Sequence, residues 1–109
     1  MGEAFFIYVR EDIPNRILSK YELPQEIEGM FIELRFQKQK WLVFGGYKSP
    51  SQRKTLFLNS LQRGLDIYSC DYDNFLLLGD FNMEETESCF QDFCDVCELS
   101  NLVREPTYL

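Results

Sequence analysis

Gly79-Asp80-Phe81-Asn82 sets a carboxylate and a carboxamide two residues apart, directly after the apolar run Phe75–Leu78. A carboxylate leaving a buried strand is carried on a rigid element, with only a glycine beside it. If the chain stays extended, Asn82 points the same way as Asp80, because strand side chains alternate. The same residue types also make an ordinary strand-end turn, through local hydrogen bonds of Asp and Asn. A second group with chemical potential is Cys89, Cys94 and Cys97, spaced C-x4-C-x2-C. That spacing suggests zinc. However, the chain has no histidine, and all three thiols fall in one apparent helix, whereas structural zinc sites draw ligands from a turn and from elsewhere. Free cysteine is often buried, so the three are expected in the core, reduced and without metal.

The elements that must hold Asp80 can be followed along the chain. Ala4–Val9 is aromatic and β-branched and predicts a buried strand, which Pro14 ends. Residues 13–29 carry Pro14, Pro24 and Gly29 and predict an irregular connection with a short extended piece near Ile17-Leu18. Met30–Phe36 alternates: Met30, Ile32, Leu34 and Phe36 share one face, while Phe31, Glu33 and Arg35 share the other. The polar turn at residues 37–40 leads to Trp41–Gly46, apolar enough for burial on both faces. Ser49 is the expected N-cap, and Pro50 suits the first turn, of a helix over residues 51–69. Phe57, Leu61, Leu65 and Tyr68 form its apolar stripe, and Gly64 weakens it by up to about 1 kcal/mol. Asp71-Tyr72-Asp73-Asn74 is turn chemistry, Phe75–Leu78 a strand, and Glu84–Leu99 an amphipathic helix with Phe90, Phe93, Cys94 and Cys97 inward.

Strand, helix and strand over residues 41–78 have the form of a β-α-β crossover. If the two strands are parallel, Tyr47 and Asp80 emerge on one sheet edge, the edge at which α/β sheets usually place their sites. For Tyr47 alone the plainer reading is a rim aromatic with its hydroxyl in water.

Composition narrows the class. The chain of 109 residues is 45% hydrophobic and 16% aromatic, which suits one folded domain over residues 1–109 and not a disordered tail. The 18 acidic and 11 basic residues give a net charge of −7, opposite to the basic footprint of nucleic-acid binders. No apolar run reaches the ~20 residues of a membrane span. The run Ala4–Val9 follows Glu3 and is too short for a signal-peptide core. The expected location is intracellular, in cytoplasm or nucleus.

Leu77-Leu78-Gly79-Asp80-Phe81-Asn82 after an apolar strand resembles the signature of the endonuclease/exonuclease/phosphatase superfamily, the DNase I-like group. Trp41–Tyr47, closed by Lys48-Ser49-Pro50-Ser51-Gln52, is similar to the family strand that ends in a phosphate-contacting tyrosine. The form is closest to the endonuclease domains of non-LTR (LINE-type) retrotransposons. Met1–Asp12 and the tail Phe93–Leu99, Asn101-Leu102-Val103 and Pro106-Thr107 support that pattern. The resemblance implies the central part of a DNase I-like α/β sandwich, with a mixed sheet, flanking helices and both ends truncated. It also implies Mg²⁺ as cofactor of the complete domain, DNA as its partner, and catalytic roles for Asp80 and Asn82. Asp80 would orient or deprotonate the attacking water, Asn82 would position it or the phosphate, and Tyr47 would bind the phosphate.

The departures are equally informative. Pro50 stands where many relatives have an asparagine. The family's metal-binding Asn and Glu precede the part that this chain resembles, and its Asp-His pair follows it. Hydrolysis needs metal and cationic donors to neutralise the phosphoryl oxygens, and Asp80 alone adds negative charge. Lys48, Arg53 and Lys54 could favour a phosphate, or be solvated loop and helix-start residues. The expectation is therefore a nuclease fragment that is inactive alone and has no metal ligands of its own. It would bind DNA weakly or not at all and could self-associate through exposed sheet edges. The alternatives are a fragment acting on a small phosphoester, and a noncatalytic interaction module in which Asp80 and Asn82 only make a turn.

Overall fold

The computed structural model describes residues 6–83, 87–100 and 102. It shows one four-stranded mixed sheet with helices against it, a generic α/β arrangement. The strands are β1 (Asn15–Leu18), β2 (Glu28–Phe36), β3 (Gln39–Tyr47) and β4 (Asn74–Asp80), in the order β1-β2-β3-β4. Helix α1 (Lys54–Tyr68) connects β3 to β4, and α2 (Ser88–Val96) follows β4. β1, β2 and β3 pair antiparallel, whereas β3 and β4 are parallel. The β3-α1-β4 crossover expected from the sequence is present.

The core lies between α1 and one face of the sheet. Phe57, Leu58, Leu61, Leu65 and Tyr68 of α1 meet Phe31, Leu42 and Phe44, with Phe93 of α2 joining them. Helix α1 thus covers the face of β2 that carries Phe31 and Glu33, while on the other face Ile32 is also buried, Met30 and Leu34 are half-buried and Phe36 is exposed. Gly64 has a packing reason: a Cβ there would lie 2.5 Å from the Phe31 ring. The missing side chain lets the helix seat on the sheet, which outweighs its poor helix propensity.

The opposite face retains exposed apolar groups, with Ile17 65%, Phe36 50% and Leu78 48% exposed. Ile7 packs against it at Gly45. Residues 6–9 form no strand there, which corrects the described part of the expected strand Ala4–Val9; Ala4 and Phe5 lie outside the described residues. β-propensity reports fit to a pleated surface and not the presence of a partner.

Other boundaries shift for local reasons. Ser49 is not the N-cap of α1; that place falls to Arg53, without a side-chain cap. The Ser49 carbonyl instead accepts Gln52 N at 3.1 Å and Lys48 Nζ at 3.0 Å, closing a turn before the helix begins. Helix α2 is shorter than expected. Glu84–Thr86 lie outside the described residues, and its end is set by Glu98 at φ +57, with Leu99 N donating to Cys94 O at 2.8 Å. A left-handed residue just past the last turn stops a helix in this way. Cys89, Cys94 and Cys97 pack against the core cluster, and Cys70 is exposed.

The β2-β3 hairpin turns on two residues, Gln37 and Lys38, at φ +53 and +64. These are the positive angles a type I′ turn needs, and asparagine and glycine adopt them at least cost. Replacing Gln37-Lys38 by Asn-Gly should stabilise the fold by about 1 kcal/mol. Thermal melting should then rise by roughly 4–8 °C; no rise would contradict this hairpin geometry.

On β2, paired with Leu42 of β3, Glu33 is 5% exposed. Its carboxylate accepts from Tyr72 Oη at 2.9 Å, Arg16 Nη2 at 3.2 Å and Arg35 Nε at 3.3 Å, with Lys40 Nζ at 3.9 Å. Burial disfavours the Glu33 anion, but these four partners together hold its pKa below the usual carboxylate value. Burial first, then the bond to Glu33, pushes Tyr72 up to about 12. Because the folded pKa of Tyr72 is raised, its contribution is complete below the unfolded value near 10 and is lost as pH climbs towards about 12. Glu33 acts oppositely: its contribution is present above its unfolded pKa and is lost as pH falls through the depressed folded one. Melting temperature against pH should therefore fall at both extremes. Tyr72→Phe should flatten the alkaline limb, and an unchanged limb would contradict the assignment.

Candidate functional site at the parallel strand ends

The register of the sheet builds the site. Tyr47 pairs with Asp80 across the parallel β3-β4 ladder, and with Glu28 across β2-β3. Directly paired residues share a face, so Glu28, Tyr47 and Asp80 form one row at the carboxyl end of the parallel pair. Adjacent strands lie ~4.8 Å apart, which puts the Tyr47 and Asp80 backbones side by side.

Gly79 makes this arrangement possible. It sits at φ +146, and a Cβ there would lie 1.9 Å from the Gly46 carbonyl oxygen. The close approach of β4 to β3 therefore requires glycine immediately before the aspartate. Asp80 itself is exposed. Its backbone carbonyl accepts Lys48 N at 2.9 Å, and its Oδ1 accepts Asn82 N at 3.1 Å.

Asn82 departs from the extended geometry expected of it. At φ +46 the chain turns, and Nδ2 donates to the Lys48 carbonyl at 2.6 Å. The carboxamide therefore ties the residue after β4 to the end of β3. Phe81 fills the gap beneath, its ring 5.3 Å from Phe57 and 6.4 Å from Phe44.

The nearby cations separate into different roles. Lys48 is fully buried, which corrects its reading as a solvated residue. Arg53 is exposed at the start of α1, and Lys54 Nζ pairs with Glu87 at 2.5 Å. Two features were not legible in the sequence: the burial of Lys48, and the place of Glu28 in the Tyr47 row. One Glu28 carboxylate oxygen is buried without a hydrogen-bond partner. Only the strand register, which no motif encodes, brings Glu28 to this edge.

Chemically, the edge offers an exposed acceptor-only carboxylate, a phenol, and a second carboxylate across the row. Asp80 can orient a water molecule, and Tyr47 can donate to a phosphate oxygen. Among the described residues no group of three or more His, Cys, Asp or Glu side chains could hold a metal ion. The carboxylates of the row are Glu28 and Asp80, and no catalytic step through a metal ion is derived from them.

A cavity of about 290 Å³ lies at the other end of the sheet, lined by Leu65, Asp66, Tyr72, Phe75 and Cys97 among others. Burial, then Asp66 and Cys94, pushes the Cys97 thiol up. A thiol held protonated is a poor nucleophile and a poor metal ligand.

The fold and edge define an α/β protein with a strand-end carboxylate beside a tyrosine. Comparison with known proteins returns no matching family model, no similar curated protein and no similar solved structure. Among the described residues no helix is long and apolar enough to cross a membrane.

Proposed function

We propose that this chain is the central part of a DNase I-like phosphodiesterase domain of retrotransposon type, a DNA endonuclease when complete, and that it does not hydrolyse DNA alone. The observation that carries the reading is the parallel pairing of Tyr47 with Asp80. The two residues that the sequence motif assigns to phosphate contact and to water activation thereby stand side by side. The position of Gly79, demanded by the approach to Gly46, gives the Gly-Asp pair a reason beyond a generic turn.

In this reading Asp80 orients or deprotonates the attacking water, and Tyr47 donates to a phosphate oxygen. Asn82, bonded to Lys48 O, fixes the loop that carries Asp80. The family groups that would neutralise the charge developing on a phosphoryl oxygen lie outside the stretch that this chain resembles, and the row itself contributes two carboxylates. Inactivity of the chain alone follows from that deficit, and the charge of −7 keeps its DNA affinity low.

A noncatalytic reading also has an observation in its favour, since Asp80 Oδ1 bonds Asn82 N as a strand-end turn does. Stability separates the two. The account expects Asp80→Ala to melt within a few degrees of the parent, because the carboxylate is exposed and makes one local bond. Asn82→Ala should lose about 1–2 kcal/mol with its part-buried hydrogen bond. A loss from Asp80→Ala as large as that from a core truncation would favour the turn. The parent activity is tested by sequencing the transcript around this chain. In-frame Asn and Glu codons upstream and an Asp-His pair downstream are expected; their absence on both sides would overturn the assignment.

A further inference from the structure

The two edges of the sheet differ in a way that points to a partner. β1 is four residues long, carries Arg16 and follows Pro14, the usual devices that blunt an edge against pairing. β4 has seven residues, Asn-Phe-Leu-Leu-Leu-Gly-Asp, with no proline, no cation and no charge before its last residue. It hydrogen-bonds to β3 on one side, and among the described residues no strand pairs with its other side.

We propose that β4 is a docking edge for a second copy of this chain, the two β4 strands pairing antiparallel about Leu77 to join their sheets. The sequence of β4 is complementary to itself in that register. Leu76 faces the partner's Leu78, and Asn74 faces the partner's Asp80, an amide donor against a carboxylate. Phe75 faces the partner's Gly79, an aromatic beside a glycine, a pairing that covers the bare backbone of an edge glycine. No like charges meet. The exposed Leu78 gains an apolar neighbour, the partner's Leu76, beside the row of Ile32, Val43 and Leu76, in which Ile32 and Val43 are already buried. A seven-residue edge of this composition is a template for an added strand, and a second copy of β4 supplies one with these pairings. The net charge of −7 opposes association at long range, so screening by salt should strengthen the dimer.

The experiment is sedimentation of the full chain over a range of concentration and salt, with two variants. The expected result is a reversible dimer of twice the 13.0 kDa chain mass, strengthened by salt. Leu78→Lys should weaken it at least about tenfold, by placing a charge in the new ladder. Ile17→Lys makes the same change on the same face at β1 and should leave it intact. Hydrogen exchange on the parent chain provides a readout independent of any variant's folding: amides of β4 should exchange faster on dilution, while those of the β2-β3 ladder should not. A chain monomeric at every concentration would overturn the proposal. So would a dimer that survives Leu78→Lys, one lost in Ile17→Lys, or β4 exchange indifferent to dilution.

Discussion

Gly79→Ala is expected to destabilise the fold by about 2–6 kcal/mol, the sum of a strained backbone angle and overpacking against atoms that cannot move. The added Cβ would stand 1.9 Å from the Gly46 carbonyl oxygen and 3.0 Å from its carbon. Both belong to the neighbouring strand, so relief requires the ends of β3 and β4 to part. That movement would separate Tyr47 from Asp80 and break the bond from Lys48 N to the Asp80 carbonyl. Melting followed by circular dichroism should show a transition lowered by ten degrees or more, on the order of the shift such a loss produces in a domain this size. Melting within two or three degrees of the parent would contradict the backbone geometry on which the candidate site rests.

Phe44→Ala carries the second large effect, about 3–5 kcal/mol for removing a buried aromatic. The ring has no exposed surface and lies 5.0 Å from Phe31 and 6.4 Å from Phe57 and Phe81. It also covers Gly29 and Gly46, where a Cβ would meet it at 2.4 and 2.8 Å. One ring thus links the sheet, α1 and the segment after Asp80, and its loss opens a cavity that none of them can fill. Domains of this size are stable by only about 5–15 kcal/mol, so this variant should be substantially unfolded in mild urea. Phe36→Ala, half-exposed on the open face, should differ from the parent by less than about 1 kcal/mol. Equal losses in the two would place the core on the wrong face of the sheet.

That question of faces shows what the sequence could and could not convey. The apolar runs at Trp41–Gly46 and Phe75–Leu78, with the stripe of Phe57, Leu61, Leu65 and Tyr68 between them, made the crossover legible. Continuous apolarity and helical spacing are strong local signals. The choice of face in β2 was not legible, because Glu33 looks like a solvent residue. Only when Arg16, Arg35, Lys40 and Tyr72 converge on it does its burial make sense. Asp80 and Tyr47 were legible as neighbours through the crossover alone. The backward turn of Asn82, by contrast, depends on a positive φ and on a carbonyl contributed by Lys48. The ends of α1 and α2 were misread for a similar reason, since the Ser49 carbonyl and the left-handed Glu98 act through the backbone and leave no mark in residue type.

The site account joins a retained strand-end geometry to an activity that needs groups from elsewhere. Relaxation of supercoiled plasmid in Mg²⁺ tests it most directly, run on this chain and on the product of the longest open reading frame that contains it. The account expects the chain alone to leave the plasmid supercoiled, and the longer product to nick it in a manner abolished by Asp80→Ala. Nicking by the chain alone that Asp80→Ala abolishes would contradict it, as would nicking by the longer product that Asp80→Ala leaves untouched.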